Sequence, residues 1–186
     1  MKKLRLISVL ASIVFLFGCA SGAKMESMVV TVDPGSNMAN YEEALKNEIS
    51  VTSVKGGRKT TSVTGPEISN EDFLGALKNS LSKHGLLASE KGKYNLNARL
   101  VRVDKPAFGV DMTVTTHIKY MLTNMDNDVL YNKTIIAPYT ATMGDAFAGA
   151  KRLRLANEGA GRENIKKLLA DFEKLKIELN AVSISD

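Results

Sequence analysis

The chain has 186 residues, of which 44% are hydrophobic, 24% charged and 6% aromatic, and its formal net charge is +5. This is the composition of one ordinary globular domain, which excludes a wholly disordered chain, a collagen-like repeat and a disulfide-rich scaffold. A single cysteine excludes an internal disulfide and a thiolate metal cluster.

The N-terminus carries the strongest signal. Lys2, Lys3 and Arg5 form a positive start, and Leu6 to Phe17 is an apolar run broken only by Ser8 and Ser12. As a helix these 12 residues reach about 18 Å, short of the roughly 30 Å hydrocarbon core. The run therefore reads as a secretory signal rather than a permanent transmembrane helix. It ends Leu16-Phe17-Gly18-Cys19, which resembles the lipobox of bacterial lipoproteins. The resemblance implies that residues 1–18 are a signal peptide and that Cys19 is lipidated and becomes the new N-terminus. A buried thiol in an uncleaved helix is the alternative. One acyl chain gives only reversible membrane binding, whereas the two or three chains that the resemblance implies make the anchor permanent. Ala20, not Asp, follows the cysteine. By resemblance to enterobacterial sorting this points to the periplasmic face of the outer membrane, with the inner membrane as the other destination. Loss of residues 1–18 removes three cations and no acid, so the formal net charge falls from +5 to +2. That balance is no electrostatic footprint for nucleic acid.

Residues 19–27 then read as the lipidated cysteine and a short polar tether, residues 28–180 as one ectodomain, and residues 181–186 as a polar tail. Met28 to Val32 is a β-branched run stopped by the turn Asp33-Pro34-Gly35. Asn40 with Glu43 predicts a capped short helix over 41–47. Ile49, Val51 and Val54 predict a strand over 48–55, followed by a basic, hydroxyl-rich loop from Arg58 to Pro66. The next helix, over 70–84, has agreeing start and stop signals. Ser69 is its N-cap, Ile68 and Phe73 form a hydrophobic staple, and Gly85 with Leu86 forms a Schellman ending against Leu81.

Three strands follow, over 94–103, 112–122 and about 129–138, the first two alternating, with Pro138 ending the last or marking an edge. Asp104 to Asp111 joins the first two, and Asn124 to Asp128 turns between the others. Gly144-Asp145 reads as a turn and an N-cap, and a long helix is expected from Ala146 to about Leu179, its apolar stripe running Ile165, Leu168, Phe172, Leu175 and Leu179. Glu158 and Arg162, and Glu163 and Lys167, stand at ion-pair spacing on it. Gly159 and Gly161 predict a kink or the close approach of another backbone. Alternation means one buried and one wet sheet face. The fold class is therefore α+β: two layers, a mostly antiparallel sheet of four to five strands, and two main amphipathic helices on one face.

The tract Ile136-Ala137-Pro138-Tyr139-Thr140-Ala141-Thr142, then Gly144-Asp145-Ala146-Phe147, then Arg152, Leu153, Arg154, Ala156, Glu158 and Arg162-Glu163-Asn164-Ile165 carries a second resemblance. It is similar to the C-terminal part of a group of small uncharacterised proteobacterial lipoproteins, some named UDP-N-acetylglucosamine acyltransferase. That name implies a glycan- or lipid-modifying transferase. The left-handed β-helix acyltransferase of lipid A synthesis is built on hexapeptide repeats, which this chain lacks.

Chemistry is scarce in the residues themselves. Gly57-Arg58-Lys59-Thr60 does not match a P-loop, and no Gly-x-Ser-x-Gly elbow is present. His84 reads as a helix-terminal cation and His117 as a residue of a wet strand face, and no cofactor is expected. The tract from Tyr139 to Arg162 is the best place for a site. Asp145 reads first as a cap, and Arg152, Arg154, Glu158 and Arg162 as a solvated charged face. The sharper reading makes them a partner-binding patch for an envelope protein or a lipid or glycan headgroup. A non-catalytic, lipid-anchored binding or accessory module is thus the expected function, with the transferase as the alternative.

Overall fold

Four strands form one open sheet in the order β1 (Ile49–Lys55), β2 (Tyr94–Asp104), β3 (Met112–Thr123) and β4 (Val129–Ala141). The structure, a computed structural model, describes residues 21–32 and 40–177. Cys19, the turn at 33–35, Leu179 and the tail at 181–186 lie outside those residues. The other elements are α1 (Met25–Met28), a 3-10 turn (Glu43–Leu45), α2 (Asn70–Lys83) and α3 (Gly149–Phe172).

The pairing is parallel for β1 with β2 and antiparallel for β2 with β3 and β3 with β4. This follows from the connections: a helical crossover returns the chain for a parallel pair, whereas short loops reverse it. Alternation decides the faces. Tyr94, Leu96, Ala98 and Leu100 of β2 and Val114, Ile118, Tyr120 and Leu122 of β3 point into one buried layer against the helices. The other face is wet, with Thr52 bonded to Asn95, Ser53 to Asn97 and Thr113 to Thr140. The α+β class and the two-layer arrangement expected from the alternation are the observed ones.

α2 forms as its punctuation requires. Ser69 Oγ accepts from the Asp72 N–H at 3.0 Å, and Ile68 and Phe73 are both buried. At the other end Gly85 takes φ +66°, and Leu86 N–H donates to the Leu81 carbonyl at 2.9 Å. Each fully buried Leu or Phe on its inner face contributes about 1.5–3 kcal/mol.

Several elements differ from the expectation. Residues 28–32 form no strand; α1 ends at Met28 and Val30 N–H donates to Ser80 Oγ at 2.9 Å. Met28 is buried in the core, and Val29 and Val30 pack against it from outside the sheet. The 41–47 helix is one 3-10 turn with no side-chain cap at its start. Asn47 at φ +57° breaks it and donates to the Gly85 carbonyl, steering the chain into β1. β4 continues through Pro138 to Ala141, which an edge strand allows because its outer N–H groups need no partner. α3 starts at Gly149 rather than Ala146, and it ends at Phe172 rather than near Leu179. Asp145 does not cap it. Its carboxylate accepts from the Thr142 N–H at 2.7 Å and from the Thr142 hydroxyl at 3.0 Å, closing a turn before the helix.

The glycines of α3 accommodate side chains, with neither a break in the helix nor an approaching backbone. A Cβ at Gly159 would lie 2.2–2.5 Å from the Tyr139 ring, and one at Gly161 would lie 2.7 Å from the Met28 sulfur. A buried polar network joins the two layers beside them. Asn164 Nδ2 donates to the Ile135 carbonyl at 3.0 Å and to Thr116 Oγ1 at 3.1 Å, and Tyr120 donates to Asn164 Oδ1 at 2.9 Å.

Candidate functional site

β1 and β2 both end, β3 begins and β4 ends at one end of the sheet, here the upper end. α3 starts there and runs down the buried face. Its residues 154, 158 and 162 recur at four-residue spacing, so they stand one above another on the same side of the helix. In the structure that side is covered by the chain's own N-terminal segment.

The contacts run in register down the helix. Arg154 Nη1 donates to the Ser21 hydroxyl. Glu158, only 2% exposed, accepts from the Lys24 N–H at 3.0 Å. Arg162 donates to the Ser27 carbonyl at 2.9 Å, and its guanidinium lies 5.7 Å from the centre of the Tyr139 ring. Arg154 Nε also lies 3.5 Å from Glu158, an ion pair that makes no hydrogen bond. Between these polar contacts Ala23 and Met28 are buried, and the Ala23 N–H donates to the Glu67 carbonyl at 2.9 Å. The segment expected to be a free tether up to Ser27 is therefore, from Ser21 onward, part of the body. The expected Glu158–Arg162 pair is replaced by these contacts. Lys167 likewise bonds the Ile136 carbonyl at 2.8 Å rather than Glu163.

Arg152 belongs to the upper end. Buried, it donates to the Ala146 and Phe147 carbonyls at 2.8 and 2.6 Å, and it reaches the Gly109 carbonyl at 3.5 Å. It ties the loop before α3 to the loop between β2 and β3. The exposed Asp145 is held below its ordinary pKa, chiefly by the Thr142 N–H and then by its hydroxyl. Of the five residues expected to form one patch, three hold the N-terminal segment and two shape loops. The sequence reading missed their partners Ser21, Lys24, Ser27 and Tyr139. The signal for them was Met25 and Met28, two apolar residues three apart, the first inside a polar tract and the second at its end.

The histidines divide. His84 stands at the C-terminal end of α2, as expected, and is half-buried there. Burial lowers its pKa despite Glu173, and Nδ1 sits 2.9 Å from the Tyr41 hydroxyl. His117 is on the wet face as expected, 2.9 Å from Asp104, which also pairs with Arg102. A bulge between Leu100 and Arg102 brings those three together. A cleft of about 140 Å³ between the 56–58 turn and β2 holds the ion-paired Lys105 and Glu67. A shallower groove of about 430 Å³ lies between β4 and α3, lined by Lys133, Ile136, Lys167 and Asp171. Among the described residues no helix is long and apolar enough to cross a membrane.

No family model and no curated protein matches the chain. Solved structures do. Protein XCC0632 of Xanthomonas campestris, of the DUF330 family, aligns over 76% of this chain and 89% of its own at 14% identity, with a TM-score of 0.54. Protein CT253 of Chlamydia trachomatis aligns over 70% and 97% at 8% identity, with a TM-score of 0.51. A minor lipoprotein from Acinetobacter baumannii aligns over 65% and 91% at 9% identity, with a TM-score of 0.42. At these identities the first two likenesses are ones of fold, and the third is too distant to carry even that.

Proposed function

We propose that the chain is a lipid-anchored lipoprotein of the cell envelope, a non-catalytic binding or accessory module held at the membrane through Cys19. The reading begins from the lipobox-like tract Leu16-Phe17-Gly18-Cys19. The observation that carries it further is the seating of the N-terminal segment on α3. Ser21 is the second residue after Cys19 and already bonds Arg154, and Lys24 already bonds Glu158. A chain joined to acyl groups at Cys19 would transmit the pull of its anchor directly into a helix with twelve buried residues. Such seating suits a body kept at a fixed distance from a bilayer. The destination that follows from Ala20 is the periplasmic face of the outer membrane.

The test is the mass of the N-terminal peptide of protein extracted from membranes with detergent. A peptide beginning at Cys19 and carrying acyl chains supports the reading. A peptide beginning at Met1, from protein that fractionates with soluble material, overturns it. Sucrose-gradient separation of the two membranes then tests the outer-membrane destination.

A further inference from the structure

The upper end carries most of the fully exposed large apolar side chains of the described residues, on three loops. Val63 is 93% exposed on the loop between β1 and α2, Phe108 is 88% exposed on the loop between β2 and β3, and Phe147 is 87% exposed just before α3. Val110 and Met143 are exposed beside them in sequence. Two phenylalanines left in water gain nothing for the fold, and apolar side chains clustered at a surface mark a contact with something apolar.

The loops are braced against each other. Arg152 bonds carbonyls of both the 105–111 and the 142–148 loops. Lys105 bonds the Thr64 carbonyl at 2.7 Å and pairs with Glu67. Gly65 lies against Leu153 of α3. The tip is thus a built surface that presents its apolar side chains without rearrangement.

The seating of Ser21 and Gly22 selects the occupant. Ser21 is bonded to the second turn of α3, and Gly22 lies against Thr60 and Glu67, at this same end. Cys19 precedes Ser21 by two residues, a reach of at most about 7 Å. We infer that the tip formed by Val63, Phe108, Val110 and Phe147 dips into the bilayer interface beside the anchor, making a second contact with lipid. This inference rests on the anchor reading for its orientation. The exposed charges at this end are mixed, with Arg58 and Lys59 on the loops and Lys151 in the first turn of α3 against Asp111 and Asp145. Insertion is therefore apolar and weakly dependent on salt.

The sequence has no tryptophan, so single tryptophans report position cleanly. Phe108→Trp and Phe147→Trp place probes at the tip. Met125→Trp places one in the exposed turn between β3 and β4, at the lower end. Each full-length variant is extracted from membranes and returned to phosphatidylethanolamine–phosphatidylglycerol vesicles with brominated acyl chains, after circular dichroism has matched it to the parent. The expected result is blue-shifted emission and strong quenching for both tip probes, unchanged in high salt, and none for the lower-end probe. Quenching of all three alike, or of none, overturns the inference. A blue shift that grows with protein concentration and ignores the brominated lipid assigns the tip to a second copy of the chain and also overturns it. The N-terminal peptide of the same preparations is weighed. Unacylated protein with quenched tip probes refutes the anchor while the tip contact stands, and acylated protein with unquenched tip probes refutes the tip contact alone.

Discussion

The main-chain N–H of Lys24 donates to the carboxylate of Glu158, 134 residues away and almost wholly buried, at 3.0 Å. A buried carboxylate needs hydrogen-bond donors, and an N-terminal segment with no strand to join needs a partner for its amides. Each meets the other's requirement. Replacing Glu158 with Ala leaves the Lys24 amide without that partner.

Glu158→Ala should therefore cost about 1–3 kcal/mol of stability and expose residues 21–28 to solvent. Amide hydrogen exchange would show it: the Lys24 amide loses protection while β2 and β3 keep theirs until global unfolding. Unchanged protection at Lys24 would mean that Glu158 does not hold the segment.

Gly159→Ala distinguishes a weak helix from a tight one. Helix propensity alone would stabilise by about 1 kcal/mol. The Tyr139 ring occupies the space that the new methyl needs, and overpacking of this kind costs about 1–3 kcal/mol. The melting temperature should fall, and pairing the change with Tyr139→Ala should recover part of the loss. A rise in the single variant would contradict the packing described.

Asn164→Leu removes the side chain that links Tyr120, Thr116 and the Ile135 carbonyl across the two layers. The Tyr120 hydroxyl, itself fully buried, is left without its acceptor. A loss of about 1–3 kcal/mol is expected in denaturant unfolding. A variant as stable as the parent would show that the network contributes nothing net.

His84 makes stability depend on pH. Its folded-state pKa is lowered from 6.5, chiefly by burial, with Glu173 opposing. Below pH 6.5 the unfolded chain binds this proton more readily than the folded one, so stability falls as pH drops from 6.5 toward the folded value. Asp171 adds nothing in that window. Burial raises its pKa, but the hydrogen bonds from Lys133 and Tyr131 outweigh burial and hold it below its ordinary value. His84→Gln should flatten the profile between pH 6.5 and the carboxylate range; an unchanged slope would assign the effect elsewhere.

The sequence was legible wherever local punctuation and periodicity agreed. Ser69, Ile68, Phe73, Gly85 and Leu86 marked α2 because capping and staple contacts are made within a few residues of each other. Alternation marked β2 and β3 because one face is wet. Asp145 marked the turn correctly but misled as a cap, because an Asx turn and an N-cap use the same short side chain to bind nearby N–H groups. The charged residues of α3 misled for a different reason. Arg154, Glu158 and Arg162 recur at helical spacing as a solvated face would, and their partners at Ser21, Lys24 and Ser27 lie more than 130 residues away. No local pattern reports such a pairing. Gly159 and Gly161 did signal close packing, although it is a tyrosine ring and a methionine that approach them.

The claim on which the rest depends is the acylation of Cys19, and metabolic labelling with an alkyne palmitate analogue addresses it most directly. Label should appear on the processed protein in the membrane fraction and vanish in Cys19→Ser, with that variant released from the membrane pellet or left unprocessed. A wild-type chain that takes up no label and stays in the soluble fraction would contradict the anchor.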